Sequence, residues 1–195
     1  MAYTSPLANP QTFIAKVNAL SNEGITIDKG VARAKRDAAD FASKYAANFQ
    51  LVVELQASAD KFSASWVSAL QQTRNAASSV SAWLQRFVDV FLSMLDLVTQ
   101  ESDINDVIIE FNNFLAEAHP SSKYQLDNMP GVKTAFSEIE ALVPGEIHHV
   151  IDALAKAKAD DWSKIVEDLK KELAPVKVGT GNLRTALDSY ATKLD

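Results

Sequence analysis

Glu146-Ile147-His148-His149 is the segment of this sequence that comes nearest to a site for chemistry. A Glu and a His three residues apart share a helix face, and such pairs supply carboxylate and imidazole ligands in di-metal helical bundles. A complete site of that kind needs a second Glu-x-x-His and two further glutamates. The only other histidine, His119, stands outside the pattern. Glu146 and His149 are therefore half of a metal site at most. The alternative places Glu146 in a first helical turn, favoured by the helix dipole, with His148 and His149 flanking a core stripe of Ile147, Val150, Ile151 and Leu154. On that balance the sequence predicts no required metal, no cofactor and no catalytic set.

Other chemistries lack their parts. The chain has no cysteine, which excludes a disulfide framework, a zinc-thiolate module and a thiol nucleophile. His119 precedes Pro120 where a helix should end, and a histidine there interacts well with the last carbonyls. No Gly-x-Ser-x-Gly elbow supplies a nucleophile for it. Gly179-Thr180-Gly181 has neither a preceding strand nor the Gly-Lys-Ser/Thr ending of a phosphate loop, and reads as a linker.

Binding is better represented than bond-making. Lys29, Arg33, Lys35 and Arg36 form the one basic cluster, placed by the sequence near a helix start, where it opposes the macrodipole. Asp37 and Asp40 interleave with it, so a solvated face laced with i,i+4 pairs competes with a phosphate or anionic-lipid patch. Trp83 lies about 100° from Leu84 at the edge of an apolar face, where a half-wet indole would suit an interface. These five residues, Lys29, Arg33, Lys35, Arg36 and Trp83, are the expected interaction surface. Trp66 and Trp162 fall on apolar stripes and are expected in the core. A formal charge of -6 and a pI near 5.1 argue against nucleic acid as a partner.

The elements that must position these residues are helices. Glycine and proline number six each, and neither occurs between Val31 and His119. Alanine is abundant, and no segment alternates apolar and polar residues as a half-buried strand would. The expectation is an all-α, up-and-down helical bundle, with more than half of the residues in helix and almost no strand. Pro6 and Pro10 mark a leader, and Phe13, Val17 and Leu20 a short amphipathic helix ended by Asn22 and Gly24. A second helix should start near Asp28 with Val31, Ala34, Ala38, Phe41, Tyr45, Phe49 and Val52 on one stripe.

That stripe continues through Ala59, Phe62, Trp66, Leu70, Val80, Leu84, Phe91 and Val98. An unbroken helix from Phe41 to Val98 would be about 86 Å long, so the chain must fold back, with Asn75 to Ser81 as the first choice and Ala57 to Asp60 as the second. Ser102 or Asp103 should cap the next helix, which carries Ile104, Ile108, Phe111 and Leu115 and ends at His119-Pro120. After a Ser121 to Pro130 loop, cuts at Pro144-Gly145, at Asp160 and between Pro175 and Gly181 leave four short helices: 132–142, 146–158, 161–173 and 182–194. Phe41, Tyr45, Phe49, Trp66, Leu84, Phe91, Ile108 and Phe111 are expected to be buried together.

One domain over residues 1–195 is expected: a leader with a short helix over 1–27, a long-helix core over 28–118 and short carboxyl-terminal helices over 131–195. Trp83 to Val98 is the longest apolar run, too short and too charged to span a bilayer. With no signal-peptide pattern at the start, a cytoplasmic location is the default expectation. The function expected from this pattern is a non-enzymatic interaction or structural bundle that binds a protein partner or itself. A lipid-active bundle is the first alternative, because the Ala- and Ser-rich spans 57–69 and 76–82 weaken packing and would ease opening onto a membrane. A metal-carrying bundle enzyme built on Glu146 and His149 is the second.

Overall fold

Sparse glycine and proline translate into helix almost throughout. The computed structural model describes residues 3–157 and 161–194; it is an all-α bundle, 85% helical, with no strand among the described residues. A 3-10 turn, Pro6–Ala8, leads into α1 (Gln11–Tyr45) and α2 (Leu51–Arg86). α3 (Glu101–Leu115), α4 (Pro130–Glu140), α5 (Leu142–Ala155) and α6 (Trp162–Lys193) follow. The long elements are thus at both ends of the chain, whereas the sequence predicts only short helices after residue 130.

Three expected breaks are absent because burial overrides local propensity. Asn22 and Gly24 do not end a helix: α1 runs through them, and Gly24 leaves room for Leu194, whose Cδ2 would stand 3.0 Å from an added Cβ. Asn75 to Ser81 is not a reversal either. Thr73, Ala76, Ala77, Val80 and Ser81 are buried within α2, against α6. Arg74 donates to the Ala191 carbonyl at 3.0 Å and Arg184 to the Ser81 carbonyl at 3.2 Å, which sets the two helices antiparallel. Ala57 to Asp60, the second choice for that same reversal, is also inside α2.

The third absent break is at Pro175 to Gly181. α6 continues through it on a buried face of Leu173, Val176, Leu183 and Leu187. Gly179 is no linker; it is the point where the Pro6–Ala8 turn meets α6, and a Cβ there would lie 1.9 Å from the Leu7 carbonyl oxygen. The Pro144-Gly145 cut moves to Ala141, and Pro144 sits in the first turn of α5, where a missing N–H costs nothing. The Asp160 cut and the helix end at Lys158 fall outside the described residues.

The actual reversals carry weaker signals. Ala46 to Gln50 turns α1 into α2 with the Phe49 N–H bonded to the Tyr45 carbonyl at 2.9 Å. α2 then loosens into a π-type turn at Phe87–Phe91 and a 3-10 turn at Leu92–Leu97, which bury Phe87, Phe91, Leu92 and Leu95. Gln100, not Ser102 or Asp103, caps α3. Asp103 instead accepts the N–H groups of Thr99 and Gln100 at 2.9 and 3.1 Å, and these bonds hold its carboxyl below the usual range. α3 stops at Leu115, before His119.

The core joins α2, the turn after it, α3, α4, α5 and α6 around Leu84, Phe87, Phe111, Phe136, Ile147 and Leu187. Of the residues expected to be buried together, Leu84, Phe91 and Phe111 are, and Trp66 and Ile108 pack against them partly buried. Phe41, Tyr45 and Phe49 are 48, 41 and 61% exposed. They lie beyond the core, on a stretch of the α1–α2 hairpin between Asp28 and Trp66 whose only buried side chains are Val31, Ala38, Ala42 and Val52.

Candidate functional site

The extended hairpin is held at its root by Trp66, whose indole N–H donates to Asp28 at 3.0 Å, and midway by Lys35, 3.4 Å from Asp60. These pairs fix the antiparallel register. From Asp28 to Tyr45, at 1.5 Å per residue, the hairpin runs about 26 Å past its root. A pairwise seam with no third element covers too little. Phe41, Tyr45, Phe49, Leu51, Leu55 and Phe62 remain 41 to 75% exposed, and Phe41 and Tyr45 rest on each other with ring centroids 4.8 Å apart. Contiguous exposed apolar surface of this extent is unusual on a monomeric protein.

The periodicity shows where this surface lies. Ala34, Phe41 and Tyr45 precede the α1 seam of Val31, Ala38 and Ala42 by roughly 60°, and Leu51, Leu55 and Phe62 precede the α2 seam by roughly 90°, at 100° per residue. Equal senses of offset in an antiparallel pair fall on the same flank. Lys35 and Asp60 are offset the other way on their helices, and they do meet, on the opposite flank. One charged side chain, Asp37, shares the flank from Ile27 to Phe62, roughly 120° ahead of the α1 seam and 3.6 Å from Arg33. At the root of the flank opens a cavity of about 270 Å³ lined by Leu20, Ile27, Trp66, Leu70, Met129 and Tyr190, among others.

The residues expected to form an interaction surface are not brought together. Lys29, Arg33 and Arg36 are exposed on the back of the hairpin, with Arg33 3.6 Å from Asp37. They sit mid-helix, since α1 begins at Gln11, so the expected conflict with the dipole does not arise. Trp83 is far along α2 and only 9% exposed, stacked on Phe114 with centroids 5.1 Å apart. It is a core residue, not an edge one, because α3 returns over it.

Glu146 and His149 lie on one face of α5, as the spacing requires, but their partners are not a second metal-binding pair. Glu146 is fully buried and accepts hydrogen bonds from Ser5 and, at 3.0 Å, from Tyr3. Burial pushes its carboxyl above the usual range, against those two bonds, and burial likewise raises the Tyr3 phenol. The His149 ring stacks on Tyr3 at 4.2 Å, and its Nε2 stands 2.9 Å from Glu172, close enough for an ion pair but outside hydrogen-bond geometry. Among the described residues no three His, Asp or Glu side chains converge as metal ligands. The cluster fastens the amino-terminal segment to α5.

His119 lies ahead of the 3-10 turn Pro120–Lys123 instead of capping α3, with Nδ1 3.6 Å from Glu140. Glu140 is buried and takes the Ser121 N–H and hydroxyl at 2.8 and 2.7 Å. The exposed flank was legible in one signal: apolar residues at seven-residue spacing on two sides of each hairpin helix, more than one seam can bury. No known protein-family model and no curated protein matches this chain.

Proposed function

We propose that this protein is a non-enzymatic interaction bundle that engages its partner through the apolar flank of the α1–α2 hairpin. One observation carries the reading: six large apolar side chains, half or more exposed on average, line one flank that extends past the core. The rest of the bundle is a rigid mount. Its buried carboxylates tie segments together: Glu146 binds Tyr3 and Ser5, and Glu140, which borders a cavity of about 320 Å³ with His119, Tyr124 and Lys133, spends both oxygens on Ser121.

Hydroxyl-radical footprinting of Phe41, Tyr45 and Phe62 tests this in the protein's own source extract against dilute purified protein. Protection of all three in the extract is expected, with Phe111 equally protected in both. Equal labelling of the flank in both samples would overturn the reading.

A lipid surface is the second reading, supported by the tip, where Phe49 and Leu51 are 61 and 75% exposed. Such contact would not need the bundle to open. Residues 27–67 hold six basic and five acidic side chains, a balance of +1, so binding would owe little to anionic headgroups. No helix among the described residues is long and apolar enough to cross a membrane.

A further inference from the structure

The flank has the dimensions and pattern of half a four-helix bundle. Along α1, Ile27, Ala34 and Phe41 recur every seven residues; along α2, Leu55 and Phe62 do the same. Seven-residue steps drift by only about 20° each, so each set forms a nearly straight ridge. The register set by Lys35–Asp60 brings Phe41 level with Leu55 near the tip and Ala34 level with Phe62 nearer the root. Large residues therefore alternate along the flank with small ones, Gly30, Ala34 and Ser58. An added Cβ at Gly30 would meet nothing within 4 Å, so this hole is open.

Such a surface is complementary to itself. Turned about a two-fold axis that lies in the plane of the flank and runs across the hairpin, the ridges of one hairpin meet the gaps of another, and four helices close around a shared seam. The charge on the flank, Asp37, is level with Ser58 and carries its own counter-ion, Arg33, at 3.6 Å, and the hairpin's balance of +1 adds little repulsion between copies. The area is sufficient. With a large side chain offering about 200 Å² when bare, the exposed fractions of Ile27, Phe41, Tyr45, Phe49, Leu51, Leu55 and Phe62 leave roughly 700 Å² per copy, or roughly 1,400 Å² for a pair. Stable protein interfaces bury about 1,200 to 2,000 Å².

We propose that the occupant of the flank is a second copy of this chain, packed antiparallel so that the tip of each hairpin covers the root cavity of the other. This rests on the interaction reading above and names its partner. In that arrangement Phe49, at the end of the hairpin, reaches the cavity bordered by Ile27, Trp66 and Met129 on its mate. Ser58, midway between tip and root on the flank, lies at the two-fold axis beside its own counterpart. A chain free of cysteine makes that geometry directly measurable.

The experiment is sedimentation velocity on the full chain between about 1 and 200 µM, with Phe41→Ser/Phe62→Ser as the interface variant. A concentration-dependent dimer is expected, with affinity weakened by at least about 100-fold in the double variant, while its helical circular dichroism, and its melting at concentrations where both proteins are monomeric, stay those of wild type. Under mild oxidation Ser58→Cys should cross-link to itself, and Arg36→Cys, on the back of the hairpin, should not. A monomer throughout the range, or an equally tight dimer of the double variant, overturns the proposal. So does cross-linking of Arg36→Cys in preference to Ser58→Cys. A wild-type monomer whose flank is nonetheless protected in extract, or by neutral phosphatidylcholine vesicles, rejects the second copy while leaving the interaction surface standing.

Discussion

Replacing Gly179 with alanine places a methyl group where the Leu7 carbonyl already is: 1.9 Å from its oxygen and 3.0 Å from its carbon. Both are backbone atoms and cannot rotate aside. Either α6 retreats or the Pro6–Ala8 turn lifts away and exposes Leu7, which has no accessible surface in the native fold. Exposing a leucine costs about 1.5 to 3 kcal/mol. Alanine returns about 1 kcal/mol of helix propensity, leaving a net loss of about 0.5 to 2 kcal/mol. For a chain of this size that lowers the melting temperature by about 1 to 8 °C.

Two residues along the same helix, Gly181 meets nothing within 4 Å, so Gly181→Ala keeps only the propensity gain and should melt about 2 to 4 °C higher. Thermal unfolding followed by circular dichroism reads both, and limited proteolysis near residues 5–9 reads the lifted turn. Opposite signs are the prediction. A Gly179→Ala protein as stable as wild type, with that segment still protected, would refute the steric reasoning.

Phe111→Ala, fully buried, should cost about 3 to 5 kcal/mol in urea unfolding, while Phe49→Ala, on the exposed tip, should change stability by about 0.5 kcal/mol or less at concentrations where the chain is monomeric. A large loss at Phe49 would mean that the tip is covered within the monomer. Glu146 has a carboxyl raised above its unfolded value chiefly by burial, so its contribution to stability is fullest in acid and is lost as pH rises through the folded value. Glu146→Gln should therefore melt with wild type near about pH 4 and above it at about pH 8. A variant that melts lower at the higher pH would show that the charged bonds from Ser5 and Tyr3 outweigh desolvation.

Helix was legible because it depends on composition and period, which each segment carries within itself. Its interruptions were not. Asn75 to Ser81 has the residues of a turn, yet Ala76, Ala77 and Val80 are small and apolar for the sake of α6, which lies more than a hundred residues later. Gly24 and Gly179 look like breakers and are clearances for Leu194 and Leu7. Conversely, the turn at Ala46 to Gln50 holds neither glycine nor proline, so nothing local announces it. Misplacing that turn buried Phe41, Tyr45 and Phe49 on paper and left the basic back of the hairpin as the visible surface. The Glu146 pair reads from its spacing as half a site at most, and the Tyr3 and Ser5 that reach it come from a segment whose course no periodicity describes.

The pairing of Leu7 with Gly179 also orders events in time. The α1–α2 hairpin closes through neighbours in sequence, so it can form while the chain is still being synthesised. The seat for the Pro6–Ala8 turn and the wall against which Ala76, Ala77 and Val80 pack do not exist until α6 has been made. Until then the nascent chain carries an open apolar trough on α2 beside an apolar flank on the hairpin, and only the trough is later sealed from within. Synthesis paused ahead of α6 should leave an intermediate that chaperones hold and proteases cut at the amino-terminal turn, while the hairpin is already resistant.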